Sequence, residues 1–142
     1  MKTIFVKPAE VRREWFLIDA NGKALGRLAA RAASIVRGKE KVVFAPHQEV
    51  GDFLVVVNAD KILVSGTKEQ DKLYHHHTGY PGALKTETYE SLARRKPTVP
   101  LEKAIHGMLP KGPLGRKLLK NVKIYVGEEH PHKAQNPKVI EL

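Results

Sequence analysis

Trp15-Phe16-Leu17-Ile18-Asp19-Ala20-Asn21-Gly22-Lys23-Ala24-Leu25-Gly26-Arg27-Leu28-Ala29-Ala30-Arg31-Ala32-Ala33-Ser34-Ile35-Val36-Arg37-Gly38 changes its apolar period part-way along, and that change decides the fold. Trp15 to Ile18 is a continuous apolar run, the pattern of a strand buried on both faces. Asp19-Ala20-Asn21-Gly22 then supplies turn chemistry. From Leu25 to Arg37 the period is helical: Leu25, Leu28, Ala29, Ala32, Ile35 and Val36 share one arc, and Arg27, Arg31, Ser34 and Arg37 share the opposite one. Gly38 stands where a left-handed C-cap is expected. Phe53-Leu54-Val55-Val56-Val57 is the next apolar run. Two apolar strands separated by a helix make a βαβ unit, with parallel strands and a right-handed crossover.

Outward from this unit the pattern continues. Ile62-Leu63-Val64-Ser65, closed by Gly66, reads as a third strand, and Val122-Lys123-Ile124-Tyr125-Val126, ended by Gly127, as a late one. Thr86 is placed to cap a helix with Glu87 and Glu90 in its first turn and Arg94, Arg95 and Lys96 in its last. Pro97 stops that helix. Pro100 suits the first turn of the next, where Leu101, Ala104, Ile105 and Met108 recur at helical spacing before Pro110. The sum is an α/β domain with a mainly parallel sheet and helices on both faces. No internal repeat, low-complexity tract or Ser/Gly linker interrupts it, so residues 1–142 are expected to form a single domain.

The charge points to a partner. The 142 residues carry 25 Lys+Arg against 15 Asp+Glu, a formal charge of +10, while 42% are hydrophobic. A chain this apolar folds, and self-repulsion on this scale calls for a polyanion, nucleic acid ahead of an anionic membrane. From Arg94 to Lys123 stand nine cations (Arg94, Arg95, Lys96, Lys103, Lys111, Arg116, Lys117, Lys120, Lys123) against one acid, Glu102, which concentrates +8 of the +10 there. Within that segment Pro110-Lys111-Gly112-Pro113-Leu114-Gly115-Arg116-Lys117 combines backbone that can approach a surface closely with prolines that hold it in shape beforehand. Pro113 is placed to open a short helix aimed at phosphate.

Other chemistry is poorly supported. With no cysteine, disulfides, thiolate zinc sites and cysteine nucleophiles are excluded. In Tyr74-His75-His76-His77-Thr78-Gly79-Tyr80, neighbouring side chains on a strand point to opposite faces, so only His75 and His77 could share a metal; Glu128, Glu129, His130 and His132 would have to converge from elsewhere. Stacking on bases or bonding to phosphate suits these rings better. Gly22 and Gly26 mimic a nucleotide-binding turn, but neither the dinucleotide fingerprint nor the P-loop spacing is present. There is no Gly-x-Ser-x-Gly or His-Glu-x-x-His, and Asp19, Asp52 and Asp60, each near the end of a predicted strand, are explained by turns and caps. The apolar patch at Ile4-Phe5-Val6 is too short for a signal peptide, and no stretch approaches the roughly 20 apolar residues of a membrane span. A soluble cytosolic protein with no enzymatic activity, cofactor or metal is expected.

Longer motifs name a family. Ile105-His106-Gly107-Met108-Leu109-Pro110-Lys111-Gly112-Pro113-Leu114-Gly115-Arg116 and Val122-Lys123-Ile124-Tyr125-Val126-Gly127 closely resemble the signature region of the bacterial ribosomal protein L13 family. The resemblance extends through Trp15, Asp19-Ala20, Leu25-Gly26-Arg27-Leu28-Ala29, Gly51-Asp52, Val57-Asn58-Ala59-Asp60-Lys61 and Tyr74-His75-His76-His77-Thr78-Gly79, and so covers essentially the whole chain. One departure is His106, where the family pattern has a more basic residue. The resemblance implies a three-layer α/β/α domain on a four-stranded parallel sheet, located in the cytoplasmic ribosome and bound to large-subunit ribosomal RNA. It also implies contacts with neighbouring ribosomal proteins, a part in early subunit assembly, and neither catalysis nor a cofactor. Carried over by position, the RNA-facing residues are Lys111, Arg116, Lys117, His75, His76 and His77. Arg94, Arg95, Lys96, Lys120 and Lys123 join them on charge alone. A free copy binding messenger RNA in autoregulation is a further expectation.

Overall fold

The computed structural model describes residues 5–141; Met1-Lys2-Thr3-Ile4, with part of the run weighed against a signal peptide, and Leu142 lie outside them. Strand β1 (Trp15–Asp19), helix α1 (Leu25–Arg37) and strand β2 (Phe53–Val57) form the expected parallel βαβ unit, with Trp15 opposite Phe53 and Asp19 opposite Val57. Every residue of the α1 apolar arc is buried, and Gly38 ends the helix at φ 77°. Burying a Leu or Ile side chain stabilises by about 1.5–3 kcal/mol, so this stripe fixes the helix to the sheet.

Helices α2 (Lys68–Asp71), α3 (Tyr89–Arg95), α4 (Val99–Met108) and α5 (Pro113–Lys120) precede strand β5 (Val122–Ile124). An antiparallel hairpin of β3 (Leu73–His77) and β4 (Leu84–Thr88) lies between α2 and α3, and β6 (Lys138–Val139) closes the chain. The main sheet is parallel throughout, in the order β5-β2-β1-β6. The steps β1 to β2 and β2 to β5 run the same way along it, so right-handed crossovers put their helices on one face. The core agrees: Phe16, Ile18, Leu54, Val56, Val122 and Ile124 join α1, Leu101 and Ile105 of α4, and Leu118 of α5. The return from β5 to β6 runs the opposite way and covers the second face with a 3-10 turn, His132–Gln135. There Trp15 stacks on Phe53 at 4.6 Å and lies 5.0 Å from His132. The three layers are therefore unequal, and the thin second layer leaves Trp15 and Leu17 half-buried where the sequence predicts burial on both faces; Phe16, on the helix face, is half-buried as well.

Three local expectations are corrected. Ile62-Leu63-Val64-Ser65 is no sheet strand. Leu63 accepts from the Leu25 amide at 3.0 Å and donates to the Lys23 carbonyl at 2.9 Å, so the segment satisfies an orphan donor at the start of α1. The fourth strand is instead β6. Thr86 caps nothing: it is paired in β4 opposite His75, and Thr88 accepts from the Ser91 amide at the start of α3. Finally, β5 ends at Ile124, two residues before the predicted end.

Candidate nucleic-acid interface

Helix α5 exists because Pro113 fixes its first turn and because Leu114, Gly115, Leu118 and Leu119 form an inward face. At 3.6 residues per turn this leaves Arg116, Lys117 and Lys120 within one arc of about 100°, and all three are exposed, as is Lys111 in the preceding loop. Two glycines make the loop-to-helix junction possible. Gly112 sits at φ 116°, where side chains are strained. At Gly115 a β-carbon would lie 1.7 Å from the Pro110 carbonyl oxygen, so the helix packs backbone against backbone on its own entry loop. The sequence motif predicts close approach here, but to a partner; at Gly115 the neighbour is the chain itself.

Pairing separates the cations. Six ion pairs occur among the described residues: Arg13–Glu49, Arg31–Glu40, Lys41–Asp52, Arg94–Glu90, Arg95–Glu87 and Lys138–Glu14. Arg94 and Arg95, both predicted binders, are thus held by carboxylates of their own chain at 2.9 and 2.7 Å. Such exposed pairs are worth about 0–1 kcal/mol each, so they pre-position the guanidinium groups without locking them away. Lys111, Arg116, Lys117 and Lys120 have no carboxylate within ion-pair distance among the described residues.

The remaining predicted residues disperse. Lys123 is on the sheet face opposite the helices, in register with Val55, where its charge bears on His132. It is not brought together with the α5 cations, because residues on a strand alternate between faces. The three histidines also divide. His75 Nδ1 pairs with Thr86 Oγ1 at 3.0 Å, and His77 Nδ1 accepts from the Gly79 amide at 3.0 Å. His76 shares a face with Tyr74 and lines a groove of about 640 Å³ between the hairpin and helices α3 and α4. Lys96 lies on the same groove, together with Lys103, one of the nine clustered cations, and Lys85, which the sequence does not mark out for binding. The Gly79-Tyr80-Pro81-Gly82 turn between two five-residue runs is the sequence signal for the hairpin.

The residues that tempt an enzyme reading have structural work. Asp19 accepts from the Asn21 amide at 2.9 Å and from Asn58 Nδ2 at 2.8 Å, contacts that hold its carboxyl below the usual range. Asp52, buried, accepts from the Glu14 amide at 2.8 Å and from Lys41 Nζ at 2.6 Å. A cavity of about 560 Å³ does lie beyond the end of β1, but its lining of Gly22, Lys23, Ala24, Arg27, Leu28, Leu63, Val64 and Ser65 offers no carboxylate or imidazole for acid–base work. Among the described residues no three His, Asp or Glu side chains are placed to hold a metal, and no helix is long and apolar enough to cross a membrane.

Comparison with known proteins gives these surfaces a family. The model for "Ribosomal protein L13" matches residues 13–131. The chain is 59% identical to the large ribosomal subunit protein uL13 of Treponema denticola over 142 residues, the whole of both chains. It is 58% identical to that of Treponema pallidum strain Nichols over 137 residues, 96% of each, and 56% identical to that of Hydrogenovibrio crunogenus over the whole of both. With the family model spanning most of its length and relatives matching it end to end, the chain belongs to the ribosomal protein L13 family.

Proposed function

We propose that the chain is a structural constituent of the large ribosomal subunit of the cytoplasmic ribosome, acting as one domain that binds large-subunit ribosomal RNA. Supporting early assembly of the subunit and contacting neighbouring ribosomal proteins belong to the same reading. The observation that carries it is the outward arc of α5, where Arg116, Lys117 and Lys120, with Lys111 beside them, have no carboxylate partner among the described residues, on a helix anchored in the core. Cations without internal partners in a family of ribosomal proteins are suited to neutralising phosphates, which position a protein on RNA whatever the base sequence. No catalytic step belongs to this reading. The same surface on a free copy would serve messenger RNA in autoregulation.

The test is binding to large-subunit ribosomal RNA as a function of salt. Four phosphate contacts at a slope of about 0.9 each contribute roughly a 150-fold loss of affinity between about 50 and 200 mM salt to the total response. Replacing Lys111, Arg116, Lys117 and Lys120 by Gln should flatten that dependence and leave the fold intact. A wild-type salt response that the four substitutions do not change would refute the assignment. For assembly, particles reconstituted without the chain should stall before the mature large subunit; full maturation in its absence would remove that part.

A further inference from the structure

The groove between the β3–β4 hairpin and helices α3 and α4 is not explained by the α5 surface. Its lining brings four cations from different elements to one place: Lys85 of β4, Arg95 of α3, Lys96 just beyond α3 and Lys103 of α4. His76 and Tyr74 of β3 line it as well. Only one carboxylate, Glu87, reaches it, and that group is occupied by Arg95 at 2.7 Å. Lys85, Lys96 and Lys103 have no carboxylate within ion-pair distance among the described residues.

Tyr74 is the second observation. The Lys103 ammonium lies 5.0 Å from the centre of its ring and the Lys72 ammonium 5.7 Å, and of the two only Lys103 lines the groove. Cation–π attraction compensates the Lys103 amine in part, and no carboxylate among the described residues completes its neutralisation. The Tyr74 hydroxyl is buried and has no hydrogen-bond partner among the described residues. The hairpin beside it is exposed along most of both strands. Two-stranded hairpins are marginal in water without a packing partner, so this wall of the groove is suited to being held by what binds there.

We propose that this groove is a second, separate RNA subsite that seats a phosphodiester backbone between Lys85, Lys96 and Lys103, with Tyr74 and His76 as its floor. The inference rests on the RNA-binding reading above and adds to it a site built by the tertiary fold. The test uses the full chain with Lys85, Lys96 and Lys103 replaced by Gln, sparing Arg95 and Glu87 so that their ion pair remains. Circular dichroism and urea unfolding establish that the variant folds. With three fewer phosphates neutralised on duplex RNA, the slope of log K against log salt falls by about 2.7. The drop in affinity on large-subunit ribosomal RNA between about 50 and 200 mM salt then shrinks by about 40-fold. In a parallel titration, NMR signals of the Tyr74 ring and Lys103 should shift with an octameric oligouridylate and stay still with oligoglutamate.

Wild-type chain that does not bind ribosomal RNA would sink the functional reading and this inference with it. Wild type that binds while the Lys variant keeps the full slope overturns the groove alone. Shifts at Tyr74 with oligoglutamate and none with the oligouridylate also overturn it, and assign the groove to an acidic protein.

Discussion

Replacing Gly115 by Ala is the sharpest test of how α5 is held, because the motif contains its own control. At Gly115 the added β-carbon would meet the Pro110 carbonyl oxygen at 1.7 Å and its carbon at 2.9 Å, both backbone atoms that no side-chain rotation can clear. Contacts below 3.0 Å are not sustained, so α5 or its entry loop must retreat by at least about 1.3 Å. Overpacking of this kind costs about 1–3 kcal/mol, sometimes more, against which alanine returns at most about 1 kcal/mol of helix propensity. A net loss of about 1–2 kcal/mol follows, or roughly 3–7 °C in Tm at this chain length. Gly107, exposed in α4, has nothing within 4 Å of the same β-carbon. Gly107→Ala should therefore be stabilising by about 0.5 kcal/mol. The assay is urea unfolding of both variants beside the wild type, with RNA affinity measured at fixed salt. Gly115→Ala should also weaken RNA binding although no charge has changed, since it displaces Arg116 and Lys117 with the helix. If Gly115→Ala unfolds at or above the wild-type midpoint, the packing of α5 on Pro110 is wrong.

Further outcomes are expected elsewhere. Asp52→Ala should cost about 1–3 kcal/mol in urea unfolding, because it strips the Glu14 amide and Lys41 of their buried acceptor; an unchanged midpoint would show that water serves them as well. Asp19 has a carboxyl lowered by the Asn21 amide and then Asn58, from an ordinary value of 3.8. Its stabilisation is therefore complete above that value and lost as pH falls below it through the lower folded one. Asp19→Asn should show a shallower acid loss of Tm than wild type. His132 is also lowered from 6.5, by burial, then by His130 and Lys123, with its Nε2 2.8 Å from the Tyr125 hydroxyl. Below 6.5 the unfolded chain takes up this proton more readily than the folded one, so stability falls as pH drops through that window. His132→Phe should flatten the difference in Tm between about pH 8 and pH 5; an identical pH profile in both proteins would exclude His132 as the group responsible.

Elements whose reasons are local can be read from neighbouring residues alone. The βαβ unit was legible because Leu25, Leu28, Ala29, Ala32, Ile35 and Val36 repeat with the helix period between two apolar runs, and each run becomes a strand where it stands. Helix α5 was legible in Pro113, and the family in the long motif around it. Features that depend on partners distant in sequence were settled by long-range packing. Ile62-Leu63-Val64-Ser65 has a strand's composition but is used at the start of α1, while the two-residue β6 finds β1 across more than a hundred residues because β1 still has a free edge. Thr86 was a sound cap until His75 claimed it as a strand partner. The same holds for the interface. Nine cations from Arg94 to Lys123 form one cluster along the chain. In space strand alternation sends Lys123 to the far face of the sheet, and Glu87 and Glu90 neutralise Arg95 and Arg94. Folding then brings Lys85 from another segment to join Lys96 and Lys103. Charge is a property of composition, but which charges remain unpaired on one surface is fixed by strand alternation, helix phase and long-range packing.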